Sequence, residues 1–147
     1  MSSFIESAPI MYFPAHVFER PASYSATLKR VVSLREYIAV KMPDQAQGLG
    51  FQTQLKPDDV KEMGQLTRDE MKKITLETFA ASGLQANLVA GEQSYTPLEI
   101  FQEIKKGTRL GTRLTYACIN NISFQLQLAK AGKLRLEGLE NKNEAST

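Results

Sequence analysis

The sequence predicts an α+β fold in which a small antiparallel sheet with a C-terminal β-hairpin packs against two or three helices. Apolar and polar residues alternate in residues 49–55 and again in 121–139, which is typical of half-buried strands. Apolar residues at helical spacing and helix-capping patterns predict helices near 57–82 and 96–106. An irregular N-terminal segment precedes these elements.

The size and composition of the chain are those of one domain. It has 147 residues, of which 42% are apolar, enough to bury a core without disulfides or metals. We expect residues 1–45 to form an aromatic, proline-containing segment that packs on the domain or on a partner. Residues 46–140 are expected to form the α+β domain, and the polar residues 141–147 a disordered tail.

Cysteine usage and hydropathy indicate a cytoplasmic protein. Cys118 is the single cysteine of the sequence, so no internal disulfide can form and a reducing compartment is expected. No apolar run approaches the roughly 18 residues that a membrane span requires. The N-terminus has no basic segment and carries Glu6 within its apolar part, unlike a secretory signal.

The first 25 residues combine aromatic residues with three prolines, which remove backbone donors and prevent a continuous helix. The aromatic side chains are too apolar for a solvated tail. They either complete the core of the domain or form a docking surface for another protein or a second copy of the chain. These side chains are Tyr12, Phe13, Phe18 and Tyr24.

The next two segments are less clearly patterned. Residues 26–40 place Leu28, Val31, Leu34 and Ile38 on one helical stripe, which favours a helix, although the β-branched residues there also allow a strand. Residues 41–50 contain proline and two glycines in a polar setting and form the best linker candidate. The predicted strand 49–55 follows this linker.

Capping patterns define the predicted helices. Pro57 favours the start of a short helix, and the capping box of Thr67 and Glu70 opens a longer one that should end near Gly83. The sequence from Thr96 to Glu99 combines an N-cap, a proline in the first helical position and a capping glutamate. Gly107 is well placed to end that helix.

Residues 121–139 allow two interpretations. Ile122, Phe124, Leu126 and Leu128 alternate with polar residues, and Gly132 could form a turn before a second strand, which favours a hairpin. The alternative is a helix ending near Gly138, because glutamine, leucine, alanine and lysine all favour helices.

A tandem Gly-Thr-Arg-Leu repeat occupies residues 107–114. A phosphate-binding P-loop needs a lysine directly after its second glycine, and neither that lysine nor the dinucleotide-binding glycine pattern is present. We therefore interpret Gly107 as a helix stop, with Thr108 or Thr112 capping the next turn. If the segment is helical, Arg109 and Arg113 lie on one face.

The charge distribution is uneven. No acidic residue occurs between Glu103 and Glu137, although several basic residues fall in this interval. Such a segment favours binding of an anionic partner, with nucleic acid as the leading candidate, because cationic side chains contact phosphate without sequence preference. The candidate contacts are Lys105, Lys106, Arg109, Arg113, Lys130 and Lys133.

Catalytic patterns are weak. His16 and Cys118 are the only histidine and cysteine, and both lie in apolar surroundings where a core role suffices. The acidic pairs of residues 58–59 and 69–70 fall in predicted first turns of helices, where they complement the helix dipole. No metal-ligand spacing is present, so we expect no cofactor and no enzymatic activity.

The sequence thus predicts a non-catalytic protein that binds nucleic acid or another polyanion through its acid-free basic segment. The alternative is a structural or adaptor subunit that docks on another protein through the N-terminal aromatic residues. A small enzyme that uses Cys118 and His16 is the weakest of the three hypotheses.

Overall fold

The computed structural model describes residues 3–82 and 87–138, with side chains from Ile5 onward. Its secondary structure is mixed α and β. In chain order the elements are α1 (Ser3–Glu6), β1 (Met11–Phe13), α2 (Ala15–Phe18), β2 (Pro21–Ser25), β3 (Arg30–Ser33), α3 (Leu34–Lys41), α4 (Pro43–Leu49), two 3₁₀ turns (Pro57–Asp59 and Met63–Gln65), α5 (Arg68–Ser82), β4 (Leu88–Ala90), β5 (Gln93–Tyr95), α6 (Pro97–Lys106), α7 (Arg109–Lys130) and β6 (Leu134–Leu136).

The α+β class is confirmed, with strands arranged in three two-stranded sheets within the described residues. β2 pairs with β3, and β4 with β5, in antiparallel fashion. β1 and β6 pair in parallel, with Tyr12 opposite Arg135. Each sheet is too short to bury a core by itself, so the helices supply most of the packing.

The core joins the N-terminal half of the chain to the later helices. β2 packs against α5, and α7 packs against both α5 and α6. Phe18, Ile38 and Ile74 are almost fully buried in one hydrophobic cluster, which also includes Ile119 and Leu126 of α7. Residues on both sides of position 45 therefore share one core. The predicted tail, residues 141–147, lies outside the described residues.

The predicted helix over 26–40 forms only in its second half. Lys29 adopts a left-handed conformation with φ of 55°, and the next four residues pair as β3 with β2. The β-branched Val31 and Val32 suit this extended backbone. α3 then begins after Ser33, whose hydroxyl accepts from the amide of Glu36 at 3.1 Å.

The expected linker and the strand after it are corrected by the structure. Residues 43–49 form α4, with Pro43 in the first turn and Gly50 ending the helix at φ of 74°. The predicted strand 49–55 is not formed: Leu49 ends α4, and Phe51 and Leu55 pack against the core from irregular backbone. The alternation predicted the burial of these side chains correctly, but no strand in the described part of the chain pairs with this segment.

The capping predictions hold where the structure describes them. The Thr67 hydroxyl accepts from the Glu70 amide at 3.2 Å, and α5 follows. Thr96 and Glu99 form the same reciprocal pair before α6, and the hydrogen bonds from Thr96 lower the pKa of Glu99. The predicted end of α5 at Gly83 lies outside the described residues.

Residues 122–130 take the helical alternative and continue α7, while the turn at Gly132 and the strand after it form as expected. Ile119, Ile122 and Leu126 are buried at helical spacing, whereas Phe124 is 38% exposed. A strand would have placed Phe124 on the same face as Ile122. The strand β6 consequently pairs with β1 and not with residues 122–128.

Candidate functional site

The Gly-Thr-Arg-Leu repeat connects α6 to α7 through only two residues. Gly107 ends α6 in the left-handed conformation, with φ of 67°. Thr108 is the N-cap of α7: its hydroxyl accepts from the Gly111 amide at 3.1 Å and donates to the Glu103 carboxylate at 2.6 Å. The connection is therefore a tight structural turn, as the sequence indicated.

The second glycine of the repeat brings the two helices into close contact. Gly111 is buried in the first turn of α7, against the backbone of α6. A Cβ at this position would overlap the carbonyl oxygen of Glu103 and lie 2.8 Å from the amide nitrogen of Ile104. The local sequence gives no signal of this role.

Four predicted basic residues flank this turn. Lys105 and Lys106 are exposed at the end of α6, and Arg109 and Arg113 are exposed at the start of α7. A spacing of four residues keeps the two arginines on one face of α7, about 6 Å apart along the axis. We call these four residues the basic turn.

Four cations of the protein are paired with carboxylates, whereas the side chains of the basic turn, like most of the other described cations, are not. Arg30, Arg35, Lys41 and Lys61 each form a salt bridge to a glutamate. Within residues 3–82 and 87–138, no salt bridge involves the basic turn. The nearby Glu103 carboxylate accepts the Thr108 hydroxyl instead.

Two of the paired cations, Arg30 and Lys61, lower the pKa of the carboxylates that they contact. Arg30 donates to both carboxylate oxygens of Glu36, at 3.1 and 2.8 Å, and thereby lowers the pKa of Glu36 to about 2. Burial raises the pKa of Glu70, but the Lys61 ammonium and the Thr67 amide outweigh it and leave that pKa lowered. These cations have their charge satisfied internally.

Lys130 and Lys133 do not join the basic turn. In the hairpin interpretation both lysines lie across the hairpin turn and assist the basic residues before it, but α7 continues to Lys130. At 1.5 Å per residue, Lys130 lies about 32 Å along the helix from Arg109. Lys133 follows the turn at that far end. The helical alternative for residues 122–130 is the reason for this separation.

Two further cations lie near the basic turn and were not singled out from the sequence. Arg68 and Lys72, one helical turn apart on α5, line a pocket together with Lys106. The Lys72 ammonium donates to the carbonyl oxygen of Lys105 at 3.1 Å. Their four-residue spacing was visible in the sequence, but the packing of α5 against the end of α6 was not.

The arginines also border a second, more open groove. It lies between the β4–β5 hairpin and the first turns of α7, and Leu110 and Leu114 form part of its apolar lining. Arg109 and Arg113 lie beside these leucines. Val89 of the hairpin is 70% exposed at the groove.

The N-terminal aromatic residues divide into two groups. Phe18 and Tyr24, at 1% and 6% exposure, are part of the core, which leaves them inaccessible to a partner. Phe13 is half-buried against the same cluster, and Tyr12 is 43% exposed on β1. The docking hypothesis therefore narrows to the surface of β1.

The residues considered for catalysis lie in ordinary surroundings. His16 is exposed on α2, and Cys118 packs against the core from α7. Asp59 accepts from the Lys56 amide, and Glu70 is bound by Lys61. In the part of the chain that the structure describes, no group of three metal-ligating side chains is found.

No helix within the described ranges has the length and hydrophobicity needed to cross a membrane. Comparisons with protein-family models, with curated proteins and with solved structures each find no match to this chain.

Proposed function

We propose that the protein is a non-catalytic binding protein that contacts an anionic partner, in the first place nucleic acid, through the basic turn. One observation carries the proposal: four exposed cations flank the tight turn between two consecutive helices and make no salt bridge within the described residues. Four other cations of the same chain are paired with glutamates. An incoming polyanion would supply the missing negative charge.

The chemistry of these side chains suits phosphate. The planar guanidinium groups of Arg109 and Arg113 can each form two parallel hydrogen bonds to a phosphate, and the lysines act as mobile point charges. Such contacts provide affinity and orientation without reading the base sequence. We therefore expect binding with weak sequence preference.

The proposed setting is the cytoplasm, and no cofactor is required. Cys118 is a free thiol, which is compatible with a reducing compartment. Binding through lysine and arginine needs neither a metal nor a catalytic group.

A salt titration tests the proposal. Fluorescence anisotropy with a labelled oligonucleotide should show affinity that falls with salt, at a log–log slope of about −0.9 per duplex phosphate contacted and about −0.7 per single-strand phosphate. The double variant Arg109→Glu, Arg113→Glu should abolish binding, because two side chains that attract phosphate are replaced by two that repel it.

A matched control is available on the same helix. Lys130→Glu with Lys133→Glu makes the same change in net charge about 32 Å from Arg109 and should reduce binding much less. Absence of binding by the unaltered protein at low salt would contradict the proposal. If both double variants lose the same amount of affinity, binding depends on net charge alone and not on the basic turn.

One observation supports the alternative function of an adaptor subunit, namely the exposed apolar residues around β1. Ile10, Met11 and Tyr12 are consecutive and each at least 40% exposed. A contiguous exposed apolar surface can mark a protein–protein interaction site. Light scattering of the unaltered protein and of Met11→Glu would detect self-association through this surface, and a monomeric mass for both would contradict docking of a second copy.

A further inference from the structure

A pocket between α5, α6 and α7 adjoins the basic turn. Its volume is about 290 Å³, near the lower end of the range for pockets that hold small organic ligands. Arg68, Lys72 and Lys106 contribute three positive charges to its lining, and Asp69 contributes one negative charge. The pocket therefore has a net positive charge and a volume close to that of a nucleotide.

Lys72 is held in place at this pocket. Its ammonium donates to the carbonyl oxygen of Lys105 at 3.1 Å. It also lies beside Gly107, 3.6 Å from the position that a Cβ there would occupy. An ammonium group has three donors, so two remain for an anion in the pocket. Fixing the long side chain in advance reduces the entropy lost when an anion binds.

An exposed aromatic ring borders the same pocket. Tyr116 of α7 lines it and is 43% exposed. Arg109, Arg113, Tyr116 and Asn120 follow one another at spacings of three or four residues, so they share the exposed face of α7. Tyr116 thus lies at the boundary between the pocket and the arginines of the basic turn.

We propose that this pocket binds one nucleotide of a single-stranded nucleic acid, with its phosphate among Arg68, Lys72 and Lys106 and its base stacked on Tyr116. The neighbouring phosphates of the strand then contact Arg109 and Arg113. This inference rests on the proposed function and specifies its ligand.

The aromatic ring is the reason for choosing a single strand. Every base has a π-face that can stack on an aromatic side chain, and a positively charged groove combined with such a ring is the usual arrangement for single strands. In a duplex the base faces are already stacked on one another, and exposing one costs several kcal/mol. A duplex could use the cations of this surface but not Tyr116.

The experiment compares a labelled single-stranded oligothymidylate with a duplex of equal length by anisotropy. Tyr116→Ala should weaken single-strand binding by about tenfold, as expected for one lost stacking contact, and Tyr116→Phe should stay within about twofold of the unaltered protein. Duplex binding should be weaker and unaffected by Tyr116→Ala. Lys72→Met should lower the single-strand salt slope by about 0.7.

Tyr12→Ala is the matched control, because Tyr12 has the same 43% exposure but lies on β1. It should leave the affinity for the oligonucleotide unchanged. Circular dichroism of each variant checks that the fold is retained.

The outcomes separate this inference from the proposed function. No binding to any oligonucleotide contradicts both. Single-strand binding that requires Arg109 and Arg113 but is unchanged in Tyr116→Ala overturns the nucleotide pocket alone, as does tighter binding of the duplex. If a mononucleotide binds as tightly as the oligonucleotide and does not need the two arginines, the proposed contact of neighbouring phosphates with Arg109 and Arg113 is wrong.

Discussion

Residues 107–110 and 111–114 have the same sequence, yet their glycines serve different physical purposes. Gly107 is needed for its conformation, since φ of 67° is unfavourable for most residues with a Cβ. Gly111 lies within α7 and is needed for its size, since a Cβ would overlap the backbone of Glu103. Identical local sequence therefore does not imply identical structural constraints.

The threonines of the two copies differ in the same way. Thr108 satisfies the Gly111 amide at the start of α7. Thr112 lies one turn further on, where its hydroxyl donates to the Gly107 carbonyl oxygen at 3.3 Å. The first copy ends one helix and begins the next, whereas the second copy is already inside the helix.

The arginines and leucines, in contrast, behave alike in both copies. Arg109 and Arg113 are exposed, and Leu110 and Leu114 are half-buried beside them. A repeat of four residues is close to one helical turn, so equivalent positions fall on the same face. The proposed function uses the positions at which the copies agree, and the fold depends on those at which they differ.

The largest expected effect is that of Gly111→Ala. The added methyl group meets backbone atoms of α6 that cannot rotate away, so the two helices must separate. We expect a loss of about 3 kcal/mol in the free energy of unfolding, measured by denaturant titration. A loss smaller than that of Gly107→Ala would show that the contact between α6 and α7 adapts easily.

Gly107→Ala should cost less, about 1 kcal/mol, because it forces a Cβ into the left-handed region without a backbone clash. The nearest heavy atom to the new methyl would be the Lys72 Nζ at 3.6 Å, an ordinary contact. Gly107→Asn should recover part of the loss, since asparagine tolerates this conformation. If asparagine restores nothing, the conformation of residue 107 is not the source of the cost.

Local signals explain which parts of the fold could be predicted. The caps at Thr67 and Thr96 and the stop at Gly107 involve residues within a few positions of each other, so the sequence contained them in full. Residues 122–128 were ambiguous because Ile122, Leu126 and Leu128 are buried in the helix and would also share one face of a strand. The pairing of β6 with β1 joins residues more than 120 positions apart, which no local pattern specifies.

The candidate site also combines residues that local sequence predicts with residues that only tertiary packing brings together. Lys105 to Arg113 are neighbours in sequence, so their positions on either side of the turn depend only on the turn at Gly107. Arg68 and Lys72 come from α5, within a segment that carries net negative charge in the sequence, and tertiary packing alone brings them to the pocket. Tyr116 could have been noticed from its spacing to Arg109 and Arg113, but its exposure depends on which face of α7 is buried.

The smallest expected effects on stability come from substitutions of the two threonines, which differ in their roles at the start of α7. Thr108→Ala removes the hydroxyl that accepts the Gly111 amide, so we expect a loss of about 1 kcal/mol in unfolding free energy. Thr112→Ala removes a 3.3 Å bond at an exposed position and should cost under about 0.5 kcal/mol. Thr108→Ser should retain most of the stability, since serine caps as well as threonine. Equal losses at both threonines would mean that the two copies contribute equally to the start of α7, and the distinction between them would then hold for the glycines only.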